Sequence, residues 1–260
     1  MLLTIDIGNS NISLGVFKND ALVLRAKLSS HQDRSADEYA AVLYDLLRIH
    51  GVGKEEICGC ILSSVVPELT ELIEEAVREL TGTEPVRVGP GIRTGFKIRI
   101  DDPSELGGDL VANTLAALTE YGAPLILIDA GTVTTISVVD DQRAYLGGSI
   151  LPGIRASAAQ MKAKTSLLPS IALGKDIAPD CIGRNTADAM RCGLLMGSGM
   201  MVDGFIRTYA DLPHMRGAVC VATGGSAELV TAACREKIIC DPDLTLKGLR
   251  CLYEGRNTKR

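Results

Sequence analysis

The chain has 260 residues, enough for one large domain or two small ones, and 46% are hydrophobic with a mean hydropathy of +0.19, so sizeable cores can be buried. A formal charge of −5 and a pI near 5.3 argue against a general nucleic-acid or membrane-surface role, since both partners attract a concentrated positive field. Small anions remain accessible, because backbone N–H groups and bound cations hold them on acidic proteins as well.

The chain opens on an apolar run, Met1 to Ile5, interrupted by Asp6. Five residues are too few for a secretory leader, so a cytoplasmic protein is expected. The turn Asp6-Ile7-Gly8-Asn9-Ser10-Asn11 leads to a second β-rich stretch, Ile12 to Phe17, and a third, Ala21 to Lys27. Ser35-Ala36-Asp37-Glu38 has the Ser-x-x-Glu form of a capping box and predicts a helix whose buried side carries Ala40, Leu43, Leu47 and Ile49, with Gly51 ending it. Cys58 to Val66 reads as a buried strand, Pro67 to Leu80 as a helix with proline in its first turn, and Val86 to Val88 as a short strand. A helix is expected near Asp109 to Tyr121.

Ile5-Asp6-Ile7-Gly8-Asn9-Ser10-Asn11 then recurs as Ile128-Asp129-Ala130-Gly131-Thr132-Val133-Thr134. Each copy follows an apolar run and precedes two more strand candidates, in the second half Thr135 to Val139 and Arg143 to Leu146. Strand, tight turn, strand, turn, strand occurs twice, which points to duplication. Helices near Ala156 to Lys164 and Thr186 to Tyr209 follow, then an apolar strand, Ala218 to Ala222, the turn Thr223-Gly224-Gly225-Ser226 and a helix from Glu228. No linker rich in Pro, Gly or Ser separates the halves. The expected organisation is two similar α/β lobes, 1–115 and 116–260, packed around a cleft.

The eight cysteines lack the clustered C-x-x-C pairs of a zinc site and read as reduced thiols, mostly filling the core. No apolar run reaches the roughly 18 residues of a membrane span. His31, His50 and His214 have no partner at a nucleophile's spacing, and there is no G-x-x-x-x-G-K-[ST] loop.

An Asp-X-Gly turn at a strand end serves phosphate chemistry for physical reasons. The strand fixes the carboxylate of Asp6, while Gly8 lets backbone approach phosphate oxygens with no Cβ in the way. The following N–H groups form an anion-binding concavity, and Asn9, Ser10 and Asn11 add side-chain donors. Asp6 can hold Mg²⁺ directly or through water. Asp129, Gly131 and Thr132 offer the same equipment a second time, and Gly224 and Gly225 form a third glycine turn suited to a nucleotide. The competing reading, two hairpin turns whose Asp bonds its own backbone, accounts for one copy better than for two. Asp109, behind Gly107 and Gly108, is the candidate general base, although an Asp in a first helical turn is also favoured by the helix dipole alone.

These motifs resemble the type III pantothenate kinases. The resemblance rests on Asp6-Ile7-Gly8-Asn9-Ser10-Asn11, Pro90-Gly91-Ile92-Arg93-Thr94-Gly95, Asp129-Ala130-Gly131-Thr132, Gly148-Ser149-Ile150-Leu151-Pro152-Gly153, Thr223-Gly224-Gly225 and Asp241-Pro242-Asp243-Leu244, in order from residue 1 to about residue 250. It implies the actin-like ATPase superfamily: two ribonuclease-H-like lobes with mixed five-stranded sheets flanked by helices. It further implies a homodimer, ATP, Mg²⁺, a monovalent cation such as K⁺ or ammonium, and transfer of phosphate to the primary hydroxyl of pantothenate, the first step towards coenzyme A. By position, Asp6 is similar to the family's metal-linked phosphate residue, Asp109 to its base and Asp129 to its cation ligand. Asn9, Gly131 and Thr132 fall at phosphate-loop positions, and Gly107, Gly108 and Thr186 at positions lining the pantothenate pocket. The chain departs from the family where Tyr is replaced by Ile100 and Arg by Leu110, both beside the acyl substrate. A missing guanidinium matters because it is the natural clamp for a carboxylate; Arg93 and Arg99 are the nearby candidates to replace it. The departures keep two alternatives open: a kinase of this fold with another small hydroxyl substrate, or a nucleotide-binding regulator.

Overall fold

A computed structural model describes residues 1–256 except 32, 90 and 175–181. Pro90 and Cys181 therefore lie outside the described residues. In chain order the elements are β1 (Leu2–Ile7), β2 (Asn11–Lys18), β3 (Ala21–Ser29), α1 (Ala36–Ile49), β4 (Gly59–Ser64), α2 (Pro67–Thr81), β5 (Val86–Arg87), β6 (Lys97–Ile98) and α3 (Gly108–Glu120). They continue with β7 (Leu125–Ala130), β8 (Val133–Val139), β9 (Ala144–Pro152), α4 (Ile154–Lys164), α5 (Thr186–Ala210), β10 (Val219–Thr223), α6 (Ala227–Thr231), β11 (Ile239–Cys240) and α7 (Leu244–Gly255).

The chain divides into two compact units. The first holds Met1–Gly95, Asp102–Ala116 and the stretch from Leu244; the second holds Phe96–Asp101 and Ala117–Asp243. A single cut near residue 115 therefore misses two exchanged segments, a strand given to the second unit and a helix returned to the first.

The first unit contains a five-stranded sheet in the order β3-β2-β1-β4-β5. β1 is antiparallel to β2 and parallel to β4. Period-2 alternation sends Leu3, Ile5 and Ile7 into one core with Tyr39 and Leu43 of α1 and Leu69 and Ile73 of α2. On the other face, a Cβ at Gly15 would stand 2.9 Å from Thr4 Oγ1 and 3.1 Å from Leu246 Cδ1, so a glycine lets α7 approach the sheet. The capping box of α1 forms as its sequence dictates: Ser35 Oγ accepts from Glu38 N–H, and Glu38 Oε2 accepts from Ser35 N–H. Its buried stripe is Tyr39, Leu43 and Leu47, four residues apart; Ile49 is 75% exposed, two residues off that stripe and about 200° around the helix.

The second unit repeats the topology. Its sheet runs β11-β10-β7-β8-β9-β6, with β7 antiparallel to β8 and parallel to β10. The repeat extends to irregularities: the β2–β3 register shifts between Val16 and Phe17, and the β8–β9 register between Val138 and Val139. The second hairpin is one residue shorter, since Ile7 pairs with Ile12 but Ala130 with Thr134. A sixth strand departs from the five expected, because β6 pairs in parallel with the β9 edge through Lys97–Ala144 and Ile98–Tyr145. The core of this unit gathers Ile126 and Ile128 of β7 with Leu195, Val202 and Ile206 of α5.

Cys58, just ahead of β4, is exposed, and Cys60, within it, is buried. Only Cys60, Cys192 and Cys220 are fully buried, so core filling describes fewer than half of the seven described thiols. None of the seven is in a disulfide. No helix among the described residues is long and apolar enough to cross a membrane.

Candidate active site

The candidate site is built from strand ends. In the first unit Asp6 is the penultimate residue of β1 and is half-buried. Parallel pairing puts it beside Ser63 of β4, and antiparallel pairing opposite Ser13 of β2. Ser63, fully buried, donates from Oγ to Asp6 Oδ1 at 2.6 Å. Ser64 faces the other way and serves α2, accepting from Thr70 Oγ1 at 2.7 Å and from Val66 N–H at 3.1 Å. Past Asp6 the chain turns tightly: Gly8 N–H donates to the Asn11 carbonyl at 2.9 Å, and Ser30 Oγ donates to the Gly8 carbonyl at 2.6 Å. Asn9, Ser10 and Asn11 are exposed on this turn.

The same unit carries Asp109. A Cβ at Gly108 would lie 3.0 Å from Val88 Cγ1 and 3.3 Å from Ser63 Cβ, so the start of α3 rests on the serine that holds Asp6. A Cβ at Gly107 would lie 2.5 Å from Asp109 Oδ1, which makes glycine the residue that leaves room for this carboxylate. Burial raises the Asp109 pKa above the ordinary aspartate value, and N–H donation from Leu110 to Oδ1 at 2.8 Å opposes the shift only in part. Asp6, Ser63, Gly107, Gly108 and Asp109 thus form one neighbourhood. Leu110 follows in the first turn of α3, half-buried.

The second unit builds a matching turn. Asp129 is half-buried near the end of β7, in register with Thr223 of β10 as Asp6 is with Ser63. Gly131 N–H donates to the Val133 carbonyl at 2.9 Å, and Thr132 is exposed. Ser226 N–H donates to the Ala130 carbonyl at 2.8 Å, which draws the Thr223-Gly224-Gly225-Ser226 turn onto the Asp129 turn. Gly224 has φ +94, and a Cβ there would lie 2.5 Å from Asp129 Oδ1. Gly153 supports the turn from below, where any Cβ would overlap the Thr132 and Gly131 carbonyls. Ile100 sits against Gly147, and Arg99 Nη1 lies 3.6 Å from Asp140 Oδ2. Thr186 is exposed at the first position of α5, behind the Asn185 cap.

Sequence reasoning missed Ser63 and its counterpart Thr223 as neighbours of the two aspartates. A signal existed, polar residues at the carboxyl end of otherwise apolar strands, but pairing partners are invisible without a sheet order.

A family model described as type III pantothenate kinase matches residues 2–208. A type III pantothenate kinase of Moorella thermoacetica is 40% identical over 261 residues, covering 99% of this chain and 100% of that protein. The chain belongs to the type III pantothenate kinase family. A family relative from Brevibacillus brevis is 40% identical with 98% of each chain covered. Among solved structures, a Baf family transcriptional activator from Campylobacter jejuni superposes with a TM-score of 0.62 at 19% identity, over 98% of each chain. A 2-dehydro-3-deoxygalactonokinase from Sinorhizobium meliloti gives 0.60 at 14% identity, over 100% of this chain and 98% of the other. At those identities the likeness concerns the fold alone.

The donor set bears on the metal such kinases use. Among the described residues no group of three or more His, Cys, Asp or Glu side chains could hold a metal ion. Magnesium carried by nucleotide phosphates and water needs only one or two protein carboxylates, and Asp6 stands half-buried near the end of β1.

Proposed function

We propose that this chain phosphorylates pantothenate at its primary hydroxyl with ATP, giving 4'-phosphopantothenate in the first step of coenzyme A biosynthesis. Family membership over the whole length supports the reaction. The observation that carries the mechanism is the pairing of two carboxylates around one serine: Asp6 bonded to Ser63, and Asp109 on a helix start packed against it.

Asp109 is the general base. It is held in the first turn of α3, and burial raises its pKa, which makes it a better proton acceptor than an exposed aspartate. It takes the proton of the attacking hydroxyl. Gly8, Asn9, Ser10 and Asn11 are assigned to phosphate in the first unit's turn, and Gly131, Thr132, Gly224 and Gly225 in the second unit's, through the exposed side chains of Asn9, Ser10, Asn11 and Thr132 and the close backbone approach that the glycines allow. Asp6 is the side chain that would hold Mg²⁺, and Asp129 the one that would hold K⁺ or ammonium. Bound Mg²⁺ supplies charge neutralisation on the phosphoryl oxygens. Gly107, Gly108 and Leu110 in the first unit, and Ile100 and Thr186 in the second, are assigned to pantothenate by their positions in the family.

The protein is assigned to the cytoplasm as a homodimer, without nucleic-acid or membrane partners. Self-association is supported by α5, which buries Leu195, Val202 and Ile206 yet exposes Met200 by 56% and Met201 by 43%. A second reading, a kinase of this fold acting on another small alcohol, draws on Leu110 in place of Arg and on Arg99 being engaged with Asp140.

The test is a coupled ADP-release assay with Mg-ATP and K⁺, with and without pantothenate, on the native chain and Asp109→Asn. Pantothenate-dependent turnover that vanishes in the variant supports both assignments. ATP binding without turnover on pantothenate removes that substrate.

A further inference from the structure

We infer that Ser63 is a positioning residue for the metal-holding carboxylate, an inference that rests on the assignment of Asp6 to Mg²⁺. Ser63 is 0% exposed, and its hydroxyl is the donor to Asp6 Oδ1 at 2.6 Å, a short charge-assisted bond. A carboxylate at a strand end rotates freely about its last torsion, which is broad rather than threefold. A short bond from a buried donor restricts that rotation and so helps set the orientation of the carboxylate plane.

The packing shows that the serine is itself immobile. Parallel pairing places it across from Asp6, and the backbone of Gly108 covers it from the other side, a Cβ there standing 3.3 Å from Ser63 Cβ. The adjacent Ser64 spends its hydroxyl on Thr70 and Val66 at the start of α2, so the two serines divide the labour between structure and site. The duplication repeats the choice of side chain: the residue in register with Asp129 is Thr223, again a buried hydroxyl.

Partners that orient a metal-holding side chain typically change metal affinity about 10- to 100-fold when removed. The probe is the non-hydrolysable analogue AMPPNP, its affinity for the full chain measured by calorimetry with Mn²⁺ and with EDTA. The ratio of the two affinities isolates the part that depends on metal. Ser63→Ala removes one oxygen and no carbon, and a melting temperature confirms folding. The expected result is an EDTA affinity within about twofold of native and a metal-dependent ratio lowered about tenfold. In the Asp6→Asn background the ratio is already lost, and Ser63→Ala lowers it no further. A ratio that drops in Asp6→Asn but stays native in Ser63→Ala overturns the role of Ser63 alone. A ratio that survives Asp6→Asn overturns the metal assignment and the inference with it. Equal losses with Mn²⁺ and with EDTA reduce Ser63 to a packing residue.

Discussion

Gly224→Ala tests the second phosphate turn most directly. Gly224 has φ +94, and the new Cβ would lie 2.5 Å from Asp129 Oδ1 and 2.8 Å from both the carbonyl carbon and oxygen of Ala130. The left-handed backbone alone costs an L-residue about 1–2 kcal/mol. Relieving overlap with backbone atoms adds about 1–3 kcal/mol, typical of overpacking, so the sum is about 2–5 kcal/mol. Gly217 separates the two contributions, because it has φ +79 and open space within 4 Å of where a Cβ would stand. Gly217→Ala should therefore lose only the first amount. Urea unfolding of both variants gives the stabilities, and calorimetry gives ATP affinity. Gly224→Ala should be the less stable by at least about 1 kcal/mol and should bind ATP at least about tenfold more weakly, the equivalent of about 1.4 kcal/mol. Equal destabilisation, or native ATP affinity in Gly224→Ala, would refute the argument that this turn is shaped around Asp129.

Asp109→Asn keeps an acceptor for Leu110 N–H but removes the base, so kcat should fall about 100- to 10,000-fold in the coupled assay. Because the folded-state pKa of Asp109 is raised, the ionised form is the one folding disfavours; its cost is absent at low pH and present above the raised value, so Asp109→Asn should melt no lower than native at pH 7. The acid limb of native kcat/KM should lie above the ordinary aspartate range of about 4 and be missing in the residual activity of the variant. At the first position of α3, Gly108→Ala gains part of the roughly 1 kcal/mol that alanine gains over glycine inside a helix, against the crowding at Val88 and Ser63, so its stability should stay near native. A displacement of a few tenths of an ångström at Asp109 should still lower kcat about tenfold. Leu110→Arg restores the family's guanidinium and should lower the pantothenate KM about tenfold if a carboxylate clamp is what the site lacks.

Much of this architecture was legible because the relevant signals are local. Ser35-x-x-Glu38 announced α1, Pro67 opened α2, and Gly51 closed α1 at φ +69. The Asp-X-Gly repeat located both hairpins, with β2 starting one residue and β8 two residues before the expected Ile12 and Thr135, since turn chemistry needs only neighbours in sequence; β9 runs on to Pro152, well past the expected Leu146. What escaped depends on distant partners. β6 has two residues and no pattern of its own; it is a strand because the β9 edge has backbone groups to satisfy. Ser63 lies 57 residues from Asp6, and Thr223 farther still from Asp129. Such separations carry no information until β4 and β10 take their places in the sheets. The fixed offset between the hairpins fails for these strands, because α4 and α5 lengthen the second copy.

The return of α7 to the first unit has a consequence for biosynthesis. α7 packs on β1, β2 and β4, and Gly248 lies so close to Ala112 that no side chain fits between them. A chain emerging from the ribosome presents all five strands of the first sheet long before the helix that covers one of their faces. That face, with Gly15 and Thr4 at its centre, waits for Leu246 through the synthesis of more than a hundred further residues. The second unit can close on itself earlier, so the half made first is the half completed last.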